Sequence, residues 1–324
     1  MRVLVTGANG LLGHHVIMQL LERGYDVRII VRSTEKIKFD INRVECVIGS
    51  FADKNVVLDA AMSCDAIIHI AAVTDTNLFT YSDYESINVN ATKQLVDVAF
   101  QLSIKKFVFV STCNTIGYGN KYKLADETCE IQYPFTKSFY AKSKLEAEQL
   151  FSCYSKNNHL VIINPTFMIG DYDTKPSSGE LVLMGYKKSV LFIPRGGKNF
   201  VPVKDVANVC CNALTMGKSG EKYLASGQNL LFKDYFKMQS RVGVYKQFIV
   251  ILPDFLLKMA GYIGDVLQLF KIKTSLCSRN INQLLIKEYY SNEKAKNDLS
   301  LQETSLETAI KDALNWFDIK TSKT

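Results

Sequence analysis

The stretch VTGANGLLGHHV, residues 5–16, decides how the chain is read. An apolar run, RVLVT (2–6), leads straight into it, and an apolar helical pattern follows it. Gly7, Gly10 and Gly13 give the spacing G-x-x-G-x-x-G. Glycines at a strand-to-helix turn allow a tight reversal and let backbone approach a bulky anion. The helix N-terminus then offers free N–H groups and a partial positive charge. A glycine triplet alone says little. Placed between a strand and a helix, it predicts a dinucleotide-binding turn.

Working outward, short runs rich in Val and Ile recur at VRIIV (27–31), VECVI (44–48), AIIHI (66–70), KFVFV (106–110) and LVIIN (160–164). They are apolar on both faces, as buried parallel strands are. Helical patterns near 11–23, 54–62, 82–101 and 138–155 lie between them. This alternation predicts an α/β fold, a doubly wound parallel sheet of the Rossmann type. The expected dinucleotide-binding domain is 1–165, with 200–226 returning to it through a helix at 203–216 and a short strand, KYLAS (222–226). Residues 166–199 and 227–324 form a smaller, mostly helical substrate lobe. Thr304 and Glu307 are spaced as a capping box for a last helix.

The composition is that of an ordinary globular protein, 47% hydrophobic and 22% charged over 324 residues. The net charge of +7 comes from dispersed lysines, unlike the one-sided concentration of a nucleic-acid binder. It suits an anionic cofactor or substrate. Eight cysteines form no Cys-x-x-Cys and no metal-spaced cluster, so reduced thiols, no disulfides and no metal are expected. The four histidines are scattered and read as structural. The opening MRVLVTG leaves no room for a signal peptide, and a cytoplasmic protein is expected. The apolar stretch ILPDFLLKMAGYIGDVLQLF (251–270) is interrupted by Asp254, Lys258 and Asp265. It predicts an amphipathic helix, pocket-covering or surface-lying, with the core-facing version favoured, not a membrane span.

Three Tyr-x-x-x-Lys pairs occur: Tyr133/Lys137, Tyr140/Lys144 and Tyr290/Lys294. With 16 tyrosines, one or two such matches are expected by chance, so setting must decide. Ser111 and Thr112 leave the strand KFVFV at its C-terminal end, where ligands sit in open α/β sheets. Tyr140 opens the next helix and can face the same crevice. Tyr133 precedes Pro134 and lies before the helix, and Tyr290 falls in a polar region that reads as exposed. At the end of the second strand, the place where an acid would favour NAD carries Arg32, followed by Ser33 and Lys36. Arg32 suits a ribose 2′-phosphate, hence NADP in preference to NAD.

TGANGLLG, HIAA (69–72), SINVNAT (86–92), VSTCNTIG (110–117), YAKSK (140–144), NPTFMIG (164–170) and PVKDVANV (202–209) together resemble the extended short-chain dehydrogenase/reductase superfamily. Its nearest members in look are those like dihydroflavonol reductase and 3β-hydroxysteroid dehydrogenase. The resemblance implies a catalytic triad of Thr112, Tyr140 and Lys144, with Thr112 chosen over Ser111 because it stands five residues before Gly117. It implies cofactor contacts from Gly7, Asn9, Gly10, Leu11, Leu12, Gly13, Arg32, Ala71, Ala72, Tyr140, Lys144, Pro165 and Thr166. It also implies a possible homodimer through helices 82–101 and 138–155. In this triad the Lys144 ammonium, one turn along, lowers the Tyr140 pKa from about 10. The chain departs from the pattern at Ser50 and Phe51, where an acid is common, and at Cys113 and Asn114, where dehydratases carry Asp-Glu.

These features lead to an NADP(H)-dependent oxidoreductase acting on a small or medium, partly hydrophobic carbonyl or alcohol. The alternative is a nucleotide-sugar epimerase with retained NAD(P), for which Arg195, Lys198 and Lys204 are candidate diphosphate grips. A non-enzymatic dinucleotide sensor is the third reading, disfavoured by the intact Tyr/Lys pair.

Overall fold

The protein is described from a computed structural model covering residues 1–75, 78–151, 159–176 and 178–321, with backbone alone for 319–321. The first strand, β1 (Arg2–Thr6), enters the glycine turn and α1 (Leu11–Glu22). Then come β2 (Asp26–Val31), β3 (Glu45–Ile48), α2 (Lys54–Ala61) and β4 (Ala66–His69). A helical rod follows in three pieces, α3 (Ser82–Tyr84), a π-helical turn (Glu85–Ala91) and α4 (Thr92–Gln101). Next are β5 (Lys106–Val110), α5 (Phe139–Phe151) and β6 (His159–Pro165). The end of the helix expected to reach 155, and Cys153 within it, lie outside the described residues.

The second half holds β7 (Phe167–Ile169), α6 (Gly179–Gly185), β8 (Val190–Ile193), β9 (Gly197–Pro202) and α7 (Val203–Ala213). It continues with β10 (Lys222–Ala225), β11 (Gln228–Leu231), α8 (Phe232–Val242) and β12 (Phe248–Ile251). The chain closes with α9 (Asp254–Leu269), α10 (Ser278–Leu285), α11 (Glu293–Leu299) and α12 (Leu306–Thr321).

Seven strands form one parallel sheet in the order β10-β6-β5-β4-β1-β2-β3. Successive residues of β1 face opposite sides: Val3 and Val5 pack with α1 and α7, while Leu4 packs with α2, α4 and α5. That is why the strands are apolar throughout: each sheet face has its own helical layer. Strand order reverses between β1 and β4, which opens a crevice at their C-terminal ends. A separate apolar core joins β7, β8 and β9 to α6, α8 and α12.

Three local expectations change. Thr304 does not cap α12: its N–H donates to the Asp205 carboxylate at 2.9 Å and its hydroxyl bonds the same group at 2.5 Å. The helix therefore starts one residue later, behind Ser305. Tyr290 is not exposed but buried in a small cluster with Cys113, Ile116, Ala125 and Leu224. The helix favoured to face the core, α9, fully buries only its two glycines, leaves Leu257 and Leu267 half-buried and turns most of its large apolar side chains outward. Among the described residues no helix is long and apolar enough to cross a membrane, and no group of His, Cys, Asp or Glu could hold a metal. The seven described cysteines are free thiols.

Candidate active site

The crevice is a cleft of about 430 Å³. Its lining includes Gly7, Asn9, Gly10, Leu11, Leu12, Arg32, Ala71, Ala72, Thr112, Tyr140, Lys144, Pro165 and Thr166. Of the residues that the sequence places at a cofactor, Gly13 alone does not line it. A Cβ on Gly13 would stand 2.0 Å from the Gly7 carbonyl oxygen, so this glycine lets α1 lie against the turn. Gly7 holds φ +81, where a side chain is strained, and a Cβ there would meet the Ala71 nitrogen at 2.8 Å. Gly10 is different. A Cβ on it would meet only the Gly7 oxygen, at 3.4 Å. Protein packing therefore tolerates more than glycine at position 10, and the bare backbone opens onto the cleft. Gly10 is also the N-cap of α1, and no side chain caps the helix. Its first-turn amides, at Leu11 and Leu12, are thus available to an anion. These observations fit the pyrophosphate of a dinucleotide.

The walls are tied by polar side chains that the sequence shows only as motif letters. Asn88, in the π-helical turn, accepts from Val73 N at 2.7 Å and donates to Val73 O at 3.0 Å. It also donates to the Ser143 hydroxyl at 3.0 Å, beside Lys144. His69 is fully buried and bonds Thr6 Oγ1 at 2.6 Å and Thr92 Oγ1 at 2.9 Å. It is structural, and burial holds its pKa well below the usual value. Thr174 donates to the Asn9 carbonyl at 2.9 Å, which closes the loop after β7 over the glycine turn. Asp173, Thr174 and Lys175 consequently line the cleft, as do Ser50, Phe51, Val73 and Thr74. No residue pattern marked Lys175, because its loop is brought back across the sheet by tertiary contacts alone. Arg32 lies exposed at the cleft edge with no carboxylate partner among the described residues.

Thr112, Tyr140 and Lys144 converge. Ser111 turns inward and donates to the buried Glu148 carboxylate. Thr112 lines the cleft together with Tyr140. Lys144, 1% exposed, donates from Nζ to the Val110 carbonyl at 2.8 Å and lies 4.1 Å above the Phe109 ring. Burial pulls its pKa from 10.5 down to about 7, against the attraction of Glu148. Burial pushes the Tyr140 phenol above its ordinary value, partly offset by Thr112. With the protein's own groups alone, then, the expected lowering of Tyr140 by Lys144 does not occur. Desolvation outweighs it, because the lysine is itself half discharged near neutrality and its ammonium is directed at a backbone carbonyl.

Sequence reasoning missed Glu148. It follows Tyr140 and Lys144 at helical spacing and is 4% exposed. Its carboxylate accepts from Thr115 Oγ1 at 2.7 Å, Asn164 Nδ2 at 2.9 Å and Lys222 Nζ at 2.5 Å. Asn164 in turn donates to the Thr112 carbonyl at 3.0 Å. The carboxylate thus joins α5, β6 and β10 beneath the site. The spacing i, i+4, i+8 from Tyr140 was the available signal.

The competing Tyr/Lys pairs are elsewhere. Lys294 donates to Glu221 at 2.7 Å and to the Lys222 carbonyl, and Tyr133 is 56% exposed, outside the cleft lining. The candidate diphosphate grips are also committed. Arg195 pairs with Asp254 at 2.8 Å, Lys198 with the buried Glu288 at 2.5 Å, and Lys204 with Asp312 at 2.6 Å. None of the three lines the cleft.

A family model for the NAD dependent epimerase/dehydratase family matches residues 3–225, which runs from β1 to the last strand of the main sheet. The chain belongs to that family. Relatives within reach of it carry reductase and dehydrogenase names. A bifunctional dihydroflavonol 4-reductase/flavanone 4-reductase of Malus domestica is 31% identical over 193 residues, 52% of this chain and 55% of that protein. A decarboxylating sterol-4-alpha-carboxylate 3-dehydrogenase of Dictyostelium discoideum is 24% identical over 84% of this chain and 86% of its own length. Among solved structures, gox2253 superposes with a TM-score of 0.82 at 26% identity, covering 98% of both chains. As a family member with such relatives, the protein is an NAD(P)-dependent oxidoreductase of the extended short-chain dehydrogenase/reductase type.

Proposed function

We propose that this family member is an NADP(H)-dependent reductase of a small or medium, partly hydrophobic carbonyl compound, with Tyr140 as the general acid. The observation that carries this is the convergence of Thr112, Tyr140 and Lys144 in the same cleft as the Gly7–Gly10 turn. When bound, the dinucleotide supplies the hydride. Tyr140 donates its proton to the oxygen that becomes the alcohol. A phenol held above its usual pKa is fully protonated at neutral pH, as a proton donor must be. Thr112 hydrogen-bonds the same oxygen and steadies the phenolate left behind. Lys144, one turn along α5, stabilises that phenolate whenever it is charged.

Arg32 supports the preference for NADP(H), since it stands unpaired at the end of β2 where the adenosine ribose is expected. One charge-assisted contact of this kind is worth ~1.5–3 kcal/mol, about 10- to 100-fold in affinity. Titration should show NADPH binding tighter than NADH by that margin, and Arg32→Ala should erase the difference. Equal binding by the wild type sinks the preference and moves the epimerase reading forward. At present that reading is disfavoured, because Arg195, Lys198 and Lys204 are each bound to a carboxylate. Tyr140→Phe tests the mechanism: fold and cofactor affinity should stay, and turnover should fall by at least a hundredfold, in line with the loss of a general acid (about 10²–10⁴). Activity within a few-fold of wild type rules out Tyr140 as the acid.

A further inference from the structure

The outward face of α9 has no role in the cleft. Phe255, Met259, Tyr262, Ile263, Val266 and Leu269 are between 52% and 82% exposed. Their spacing puts them on one stripe of a helix of 16 residues. Phe270, 74% exposed, and Ile272 extend the stripe past the helix end. The opposite side is sealed. Gly261 meets the start of α10 and Gly264 the loop just before it, where a Cβ on Gly264 would stand 1.4 Å from the Leu276 carbonyl oxygen. Asp265 is used up at that seam, accepting from Ser278 N at 2.9 Å. The hairpin therefore cannot roll its apolar stripe inward.

The charge around the stripe is positive. Lys258 lies at its edge, and Lys271 and Lys273 follow its end. All three are exposed and none has a carboxylate partner among the described residues. The acids of α9 are already satisfied, Asp254 by Arg195 and Asp265 by Ser278. Large exposed apolar stripes mark interaction sites. A second copy fits poorly here, since a two-fold contact would set the same lysines against each other, and lysine is depleted at such interfaces. At ~24 Å the helix is too short to cross a bilayer's apolar core of about 30 Å. Lying in the plane of the surface, it would bury the stripe while the lysines meet anionic headgroups.

We propose that α9 docks this protein onto an anionic lipid bilayer, with its apolar stripe in the interface. The hairpin also reaches α5: the Arg279 guanidinium at the start of α10 lies 4.3 Å from the centre of the Phe139 ring, one residue before Tyr140 in the chain. The binding itself does not depend on the substrate reading.

Flotation of the full chain with vesicles tests this, using neutral phosphatidylcholine alone and phosphatidylcholine with about one-third phosphatidylglycerol. Binding should occur with the anionic vesicles and weaken steeply with salt. Lys258→Gln/Lys271→Gln/Lys273→Gln should weaken it roughly a hundredfold, at about fivefold per lysine. Leu269→Glu/Phe270→Glu should abolish it while leaving NADPH affinity and the melting temperature unchanged. No binding to anionic vesicles overturns the proposal. So does a stable dimer that Leu269→Glu/Phe270→Glu dissociates, which would assign the stripe to a second copy.

Discussion

Lys144→Met is expected to stabilise the cofactor-free protein while removing its activity. A buried lysine with a pKa of about 7 in place of 10.5 binds its proton about 3,000-fold more weakly than in the unfolded chain. At ~1.4 kcal/mol per tenfold, the charged form costs the fold ~5 kcal/mol. The sign follows from linkage. Below pH 7 both states are protonated and the full penalty acts. Between pH 7 and 10.5 the unfolded chain holds the proton that the folded one has released, so stability rises with pH. Above 10.5 the penalty is gone. Methionine keeps the stem over the Phe109 ring and removes the charge, but leaves the Val110 carbonyl without the Nζ contact, a loss of ~1–3 kcal/mol. The variant should therefore gain ~2–4 kcal/mol at pH 6. For a chain of this length each kcal/mol moves the melting temperature by about 1.5 °C, so a rise of ~3–6 °C is expected. By pH 9.5 most of it should vanish. Thermal melts of both proteins across pH 6–9.5, compared pairwise so that other titrations cancel, read this out. A difference that is flat with pH, or a variant less stable at pH 6, would refute the burial argument.

Two other substitutions probe the surroundings. Glu148→Gln removes the carboxylate that supports Lys144 and pairs with Lys222. Lys144 should then discharge at lower pH, shifting the limb of the activity profile that it governs to the acid side. Stability should fall by ~1–3 kcal/mol, less than for a fully buried pair because Lys222 can reach solvent. An unchanged pH profile would make Glu148 merely structural. The two glycines should part company: Gly13→Ala sets a Cβ 2.0 Å from the Gly7 oxygen and should fail to yield folded protein. Gly10→Ala meets nothing closer than 3.4 Å and should melt near wild type while binding the dinucleotide at least tenfold more weakly. Equal cofactor affinity in Gly10→Ala would remove position 10 from the site.

The dinucleotide turn, the order of strands and helices, and the placement of Tyr140 one helical turn before Lys144 were all readable from the chain. Each depends on local periodicity: period two or continuous apolarity in a strand, 3.6 in a helix, and glycine where backbone must turn. Arg32 was readable as a charge at the end of a strand, and the structure leaves it unpaired there.

Pattern could not give what each face would meet. Tyr290 sits in a polar stretch and yet is buried, because the chain returns beside Cys113 and Ala125. The stripe of α9 fitted a core-facing helix and is exposed, because Gly261 and Gly264 on the other side pack against the backbone of Leu276–Ser278. Thr304 could cap its own helix, but the Asp205 carboxylate, on a different helix, takes both its N–H and its hydroxyl. Lys144 had the right spacing to charge Tyr140, and the depth of the crevice lowered its own pKa instead. A residue's sequence neighbours set its local geometry. Its burial, its charge state and its partner are set by segments tens to hundreds of residues away, and only the packed structure brings those together.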